Sequence, residues 1–334
     1  MISVYRLVDV IEQFKGKRFF VLGDLMVDHY VFGEANRLSP EAPVPVVDVI
    51  SEAFKLGGAA NVINNILSLG GEVSAIGIVG DDKNGARLIN KIKNQGGDVT
   101  GIIKDKNRPT TTKMRILIGH HQLVRVDYES REEVDTKYTD KILDYMRENM
   151  DEVECIVVSD YDKGIMTTSL IKEMINLKKE KGKKIIVDPK IKHFLDYKGV
   201  SIIKSNVNNA RKVLGMTLKD ETSIREIVIK LLTQCECDAV IITLGKDGMS
   251  LLEKNGHYVH IPALARAVYD ITGAGDTVTA ALALSMSTNA SMVEAAMISN
   301  VAAGIKVGKI GTAVVTRDEI VAQLNSIDLS LLHL

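Results

Sequence analysis

Five short runs share one form: "RFFVLGD" (18–24), "CIVVSD" (155–160), "KIIVDP" (184–189), "SIIKSN" (201–206) and "AVIITLG" (239–245). Each is apolar, rich in β-branched residues and closed by a polar residue or glycine. Helix-period stretches such as "TSLIKEMINLKKEKG" and "SIREIVIKLLTQ" lie between them. This alternation predicts an α/β fold, with a mostly parallel central sheet covered by helices on both faces. Ligands of such sheets sit beyond the carboxyl ends of the strands. Asp24, Asp160, Asp188, Asn206, Thr243 and Gly245 fall at or near those ends, so they can converge on one crevice. The chain has 334 residues, 46% of them hydrophobic, enough for a full core in one large domain or two smaller ones. With no linker, low-complexity tract or repeat to divide it, the expectation is a single domain over 1–334.

Two stretches break the alternation. "YVFGEANRLSPEAPVPVVDVISEAFKL" holds three of the six prolines and reads as extended segments with turns. "TTKMRILIGHHQLVRVDYE" alternates apolar and polar residues on either side of Gly119-His120-His121, which predicts a hairpin with both histidines in its turn. Together they suggest a small antiparallel sheet projecting as a lid, over roughly 31–55 and 108–128.

The 42 Lys and Arg against 43 Asp and Glu give a formal charge of −1, so no global basic field draws in nucleic acid or an anionic membrane. Any anionic ligand must be held locally. Cys155, Cys235 and Cys237 show neither disulfide-framework nor zinc-site spacing, and the histidines show no metal spacing. The N-terminus lacks a signal-peptide pattern, and the longest uncharged run, Thr277 to Val293, is full of Thr, Ser and Asn. The expectation is a cytoplasmic protein without a membrane span.

"VYDITGAGDTVTAALALS" places Gly273 and Gly275 before an alanine-rich helix. Such a turn aims backbone N–H groups at a helix N-terminus, where dipole and orphan donors favour an anion. Asp276 in the same turn adds a carboxylate. Donors for a moving phosphoryl group beside a base for a hydroxyl proton are what phosphoryl transfer to an alcohol needs. An Asp in the first helical turn is also stabilising through the dipole alone, so the motif by itself leaves both readings open. "LGGAANVINNILSLGG" sets Gly57 and Gly58 before a helix carrying Asn61. The glycines suit either a close strand-helix approach or a polyol brought near bare backbone, with Asn61, Asp24 and Asp28 bonding its hydroxyls. "GIKVGKIG" lacks P-loop spacing, and no G-x-G-x-x-G follows the first strand. "TLGKDGM", with Gly248, makes either an ordinary turn or a backbone edge for a nucleotide.

These residues resemble the ribokinase-like (PfkB) carbohydrate kinases. The resemblance rests on Gly57-Gly58-Ala59-Ala60-Asn61 and Asp270-Ile271-Thr272-Gly273-Ala274-Gly275-Asp276 and covers essentially the whole chain. "LSPEAPVPVV", "RPTTTKMRILIGHHQLVRVDYE" and "SDYDKG" are similar to the subgroup acting on heptose 7-phosphate, often the first half of a bifunctional enzyme. The resemblance implies a three-layer sandwich with a β-sheet lid and an ATP-dependent sugar kinase. Asp276 would be the base, and the backbone of Gly273, Ala274 and Gly275 the anion hole. Asp24, Asp28, Gly57, Gly58 and Asn61 would hold the sugar, while Thr243, Gly245, Gly248 and Asn300 border the nucleotide. Asn206 opens the family's N-x-x-E segment, but Asn209 stands where Glu is usual. Mg²⁺ would then rely on ATP and water, with Asn206 the candidate side chain, and metal dependence should weaken at that point. The resemblance also leaves room for a monovalent cation.

Lys113 and Arg115 share a face of their strand, and Arg125 lies across the hairpin. With Lys163 they are candidates for a substrate phosphate, against the alternative that they are solvated lid charges. Apolar alternation around 44–49 and 114–126 leaves exposed edges, and relatives pair such lids, so a homodimer is expected. No H-x-G-H nucleotidyltransferase motif occurs, which suggests a stand-alone kinase. The rival readings are a kinase for fructose, ribose or another sugar phosphate, and a silent sugar- or nucleotide-binding regulator.

Overall fold

A computed structural model describes residues 2–119, 121–217, 222–264 and 268–327. All five apolar runs are strands of one nine-stranded sheet. Its spatial order is β13 (Tyr258–Ile261), β12 (Met249–Glu253), β11 (Ala239–Thr243), β10 (Ile202–Asn206), β9 (Lys184–Asp188), β8 (Cys155–Ser159), β1 (Arg18–Gly23), β4 (Glu72–Gly80) and β5 (Ile102–Asp105). Neighbours from β5 to β11 pair in parallel, and β12 and β13 add antiparallel strands at one edge.

Side chains alternate across this sheet as a strand's period of two requires. Phe19 and Val21 of β1 enter one core, and Phe20 and Leu22 enter the other. The first core is covered by α1 (Val4–Glu12), α2 (Ala59–Ser68), α3 (Lys83–Asn94), α8 (Ala274–Met286), α9 (Met292–Val307) and α10 (Arg317–Asn325). The second lies under α4 (Thr136–Asn149), α5 (Thr168–Lys181), α6 (Val207–Val213) and α7 (Ile224–Cys235). Three layers result, as expected. Every residue of α8 from Asp276 to Ser285 is buried, which explains why the helix is small and apolar all round rather than amphipathic. The three cysteines are buried and unpaired.

A second, four-stranded sheet has the order β3 (Pro45–Gly58), β2 (Leu25–Leu38), β6 (Thr111–Ile118) and β7 (His121–Tyr128). It differs from the expectation in two respects. The β2/β3 and β6/β7 pairs are antiparallel, but the central β2/β6 pair is parallel. The chain leaves this sheet at Gly58, crosses the larger one through α2, β4, α3 and β5, and returns in the direction of β2. The first of these strands also starts earlier than expected, since β2 begins at Leu25, with only Asp24 separating it from β1. Gly119 takes φ +58 at the hairpin. His120 of the expected turn lies outside the described residues, and His121 opens β7 rather than the turn.

Candidate active site

Helix α8 starts from Gly273, whose φ of +81 suits glycine, and a Cβ there would stand 2.6 Å from Asn61 Nδ2. Gly275 and Asp276 follow in the first turn, where N–H groups have no intrahelical acceptor. Ala274 N–H instead donates to the Ile271 carbonyl at 3.2 Å, so of the expected anion-hole donors this one is already engaged. The Asp276 carboxylate is buried at this end. Its Oδ2 accepts from Asn61 Nδ2 at 2.7 Å and its Oδ1 from the Tyr161 hydroxyl at 2.8 Å. Burial pushes its pKa up to about 6, against the lowering effect of Asn61, Tyr161 and the Lys204 charge.

Asn61 is itself held. Asn65 Nδ2 donates to the Asn61 carbonyl at 2.8 Å, and Thr277 Oγ1 donates to Asn65 Oδ1 at 2.9 Å, tying α2 to α8. The glycine pair before α2 is required by crowding. A Cβ on Gly57 would meet Asp28 Oδ2 at 2.7 Å, and one on Gly58, at φ +54, would meet the Asp24 carbonyl at 2.6 Å. Asp28 is therefore packed against bare backbone, and Arg115 of β6 pairs with its carboxylate. Burial raises the Asp28 pKa, and Arg115 partly offsets this. Asp24 Oδ2 accepts from the backbone N–H groups of Tyr161 at 2.7 Å and Lys163 at 3.3 Å, fixing the "SDYDKG" loop beneath Asp276. Burial, followed by the Asp160 charge, pushes Asp24 up to about 7.

Thr243, Gly245, Gly248 and Asn300 line one apolar cavity of about 360 Å³ whose wall also includes Ala274 and Gly275. Gly248 (φ +87) runs against the Ile261 carbonyl, and Asn300 Nδ2 donates to the Pro262 carbonyl at 2.7 Å. Asn206 and Asn209 do not line this cavity. Asn206 Oδ1 caps α6 by accepting from Asn209 N–H at 2.9 Å. No group of three or more His, Cys, Asp or Glu that could hold a metal occurs among the described residues.

The candidate phosphate-binding cations do share the smaller sheet. Arg115 and Arg125 are register partners, and Lys113 faces Asp127. Each cation has a carboxylate: Lys113 meets Asp127 at 3.2 Å and Glu129 at 3.3 Å, Lys163 meets Glu129 at 2.9 Å, and half-exposed Arg125 meets Asp127 at 2.8 Å. Burial alone would raise the Glu129 pKa, but Lys163, Lys113 and Arg131 hold it at about 2.

Sequence reasoning missed several residues. Tyr161 bonds Asp276, with Lys190 Nζ over its ring at 4.4 Å from the centroid. Lys204, 3% exposed, pairs with Asp188 at 2.6 Å, and its Nζ would stand 3.0 Å from a Cβ on Gly275. A signal for Lys204 was present, because a lysine inside a buried apolar strand needs a partner. Nothing local marks Tyr161 or Asn65, whose roles depend on tertiary placement.

Comparison with known proteins identifies the family and the fold. Residues 17–318 match the pfkB family carbohydrate kinase description. The bifunctional protein HldE of Geobacter sulfurreducens is 42% identical over 304 residues, covering 91% of this chain and 62% of that protein. The chain thus spans less than two thirds of the length of this relative. Phosphofructokinase-2 from Escherichia coli in complex with potassium superposes with a TM-score of 0.75 at 18% identity, covering 93% of this chain and 99% of the other. Arabidopsis thaliana ribokinase complexed with ribose and ATP gives 0.72 at 19% identity, with 93% and 99% covered. The fold is ribokinase-like, and the chain belongs to the pfkB family of carbohydrate kinases.

Proposed function

We propose that this chain phosphorylates the anomeric hydroxyl of a heptose 7-phosphate, using ATP and yielding the 1,7-bisphosphate for nucleotide-heptose synthesis. The observation that carries the reading is the Asp276 carboxylate, held by Asn61 and Tyr161 at the N-terminus of α8 and beside the cavity lined by Thr243, Gly248 and Asn300. The similarity to bifunctional HldE proteins, together with the heptose-kinase-like phrasing of the chain, supports the choice of substrate.

In this reading Asp28, Asn61 and the backbone of Gly57 and Gly58 orient the sugar. Asp276 takes the proton from the anomeric hydroxyl as its oxygen attacks the γ-phosphorus of ATP. The bond from that phosphorus to the β,γ-bridging oxygen breaks, and ADP leaves with the electron pair. N–H groups of the first turn of α8 face the negative charge, and Lys204 adds a cation behind Gly275. A pKa of about 6 leaves Asp276 mostly ionised at neutral pH, yet basic enough to accept a proton.

Mg²⁺ fits as a metal carried by the nucleotide. The protein offers it no carboxylate cage among the described residues, and Asn206 Oδ1 is spent on capping α6. When bound, the ion would supply charge neutralisation on the phosphates. The chain functions in this account as one kinase domain in the cytoplasm, with the smaller sheet as a lid that pairs with that of a second copy.

One observation favours a second reading, a kinase for an unphosphorylated sugar. Lys113, Arg125 and Lys163 already have carboxylate partners, so a substrate phosphate must displace or share them. ADP release measured over a panel of sugars and sugar phosphates separates the two. Heptose 7-phosphate should give the highest kcat/KM, and preference for unphosphorylated heptose would overturn the assignment in favour of the second reading.

A further inference from the structure

Lys306 is fully buried in the last turn of α9, with an exposure of 0%. A bare ammonium in such a place is costly, so its surroundings must compensate it. Its Nζ donates to the carbonyl of Asp270 at 3.2 Å and to the carbonyl of Lys309 at 3.3 Å. The charge of the Asp270 carboxylate favours this ammonium, with Lys55 and Lys309 acting against it. Asp270 Oδ1 accepts from Thr272 N–H at 2.8 Å and its Oδ2 from Gly311 N–H at 2.7 Å. Tyr269 and Asp270 N–H groups also donate to the Val307 carbonyl. The segment that leads into Gly273 and the first turn of α8 is therefore fastened to the end of α9 through Asp270 and Lys306.

Backbone carbonyls beside one carboxylate are the oxygen donors that a hard cation takes from a protein. Here a side-chain ammonium already uses those carbonyls. A free monovalent cation, which the family resemblance left room for, does not fit the same donors while Lys306 is in place. We infer that Lys306 is a tethered internal cation: its ammonium holds the loop behind the anion hole, and this kinase needs no potassium or other free monovalent cation at that position. Lys306 is thus a positioning residue, acting through Asp270 and Gly273 rather than touching the substrate.

The inference rests on membership of the kinase family and not on the identity of the sugar. Its first test needs no substrate. Thermal melts of the wild-type chain in potassium chloride and in choline chloride should coincide. The Lys306→Ala variant removes the ammonium and leaves two carbonyls and the Asp270 charge around a small space. Its melting temperature should fall in choline chloride and recover in potassium chloride. With whichever sugar the wild type turns over, the variant's kcat should drop about ten-fold or more in choline chloride and be restored by potassium, while wild-type kcat is indifferent to the salt. A wild-type enzyme that requires potassium overturns the inference. So does a folded Lys306→Ala variant whose melting temperature and turnover are the same in both salts. If that variant does not fold in either salt, Lys306→Met and the wild-type salt comparison decide: potassium dependence in the wild type refutes the inference, and its absence together with potassium rescue of Lys306→Met supports it.

Discussion

Asp24 and Asp276 are carboxyls that the fold holds against their preference to ionise in water. Asp24 rises from 3.8 to about 7, chiefly through burial, because its two backbone N–H donors do not replace full hydration. Between pH about 4 and about 7 the folded chain keeps a proton on Asp24 that the unfolded chain has lost, so stability falls as pH rises through that window. Asn at this position can still accept from Tyr161 and Lys163 without carrying a charge. Asp24→Asn should therefore raise the melting temperature at pH 8 and leave it nearly unchanged at pH 4. A gap of equal size at both pH values would contradict this picture of the site.

The hairpin of β6 and β7 carries the question of what holds a substrate phosphate. Arg125 is half exposed and, among the described residues, is tied to Asp127 alone, so it can turn toward a phosphate at small cost. A charge-assisted contact contributes roughly 1.5–3 kcal/mol, so Arg125→Ala should raise KM for heptose 7-phosphate about ten-fold or more. KM for ATP should stay nearly constant, and steady-state kinetics with each substrate varied in turn checks both. Equal KM values for the sugar phosphate in variant and wild type would make Arg125 a solvated lid charge. The same elements show what could be read from the sequence. The five apolar runs gave β1, β8, β9, β10 and β11 because parallel strands buried on both faces need continuous β-branched stretches. The parallel pairing of β2 with β6 was not legible, since strands whose paired residues lie 85 positions apart carry no local record of direction. In the site, Asp276, Asn61 and Gly273 declared themselves through turn chemistry. Tyr161, Asn65 and Thr277 did not, because a buried hydrogen bond between α2, α8 and a distant loop exists only after folding. Lys204 and Lys306 stood in the open as charges inside apolar runs, a signal of partnered burial.

At the scale of the whole molecule, the two sheets have opposite surfaces. The larger is covered on both faces, whereas the smaller leaves Leu38, Ile50, Leu123, Val124 and Tyr128 exposed. An apolar strand surface of this kind is normally covered, so a homodimer through the smaller sheet is expected. Light scattering at micromolar concentration should return twice the 36.6 kDa chain mass, and a monomer would count against it. No helix among the described residues is long and apolar enough to cross a membrane. Both sheets bring their residues to the N-terminus of α8, and the account stands or falls on what Asp276 does there. Asp276→Asn keeps the shape and the bond to Tyr161 but removes the proton acceptor. ADP release with heptose 7-phosphate, measured beside calorimetric binding of the sugar phosphate and of ATP, tests this most directly. The prediction is a loss of about 10²–10⁴ in kcat with both affinities retained. Turnover near the wild-type rate in a folded variant would show that Asp276 serves only the helix dipole, and would contradict the mechanism.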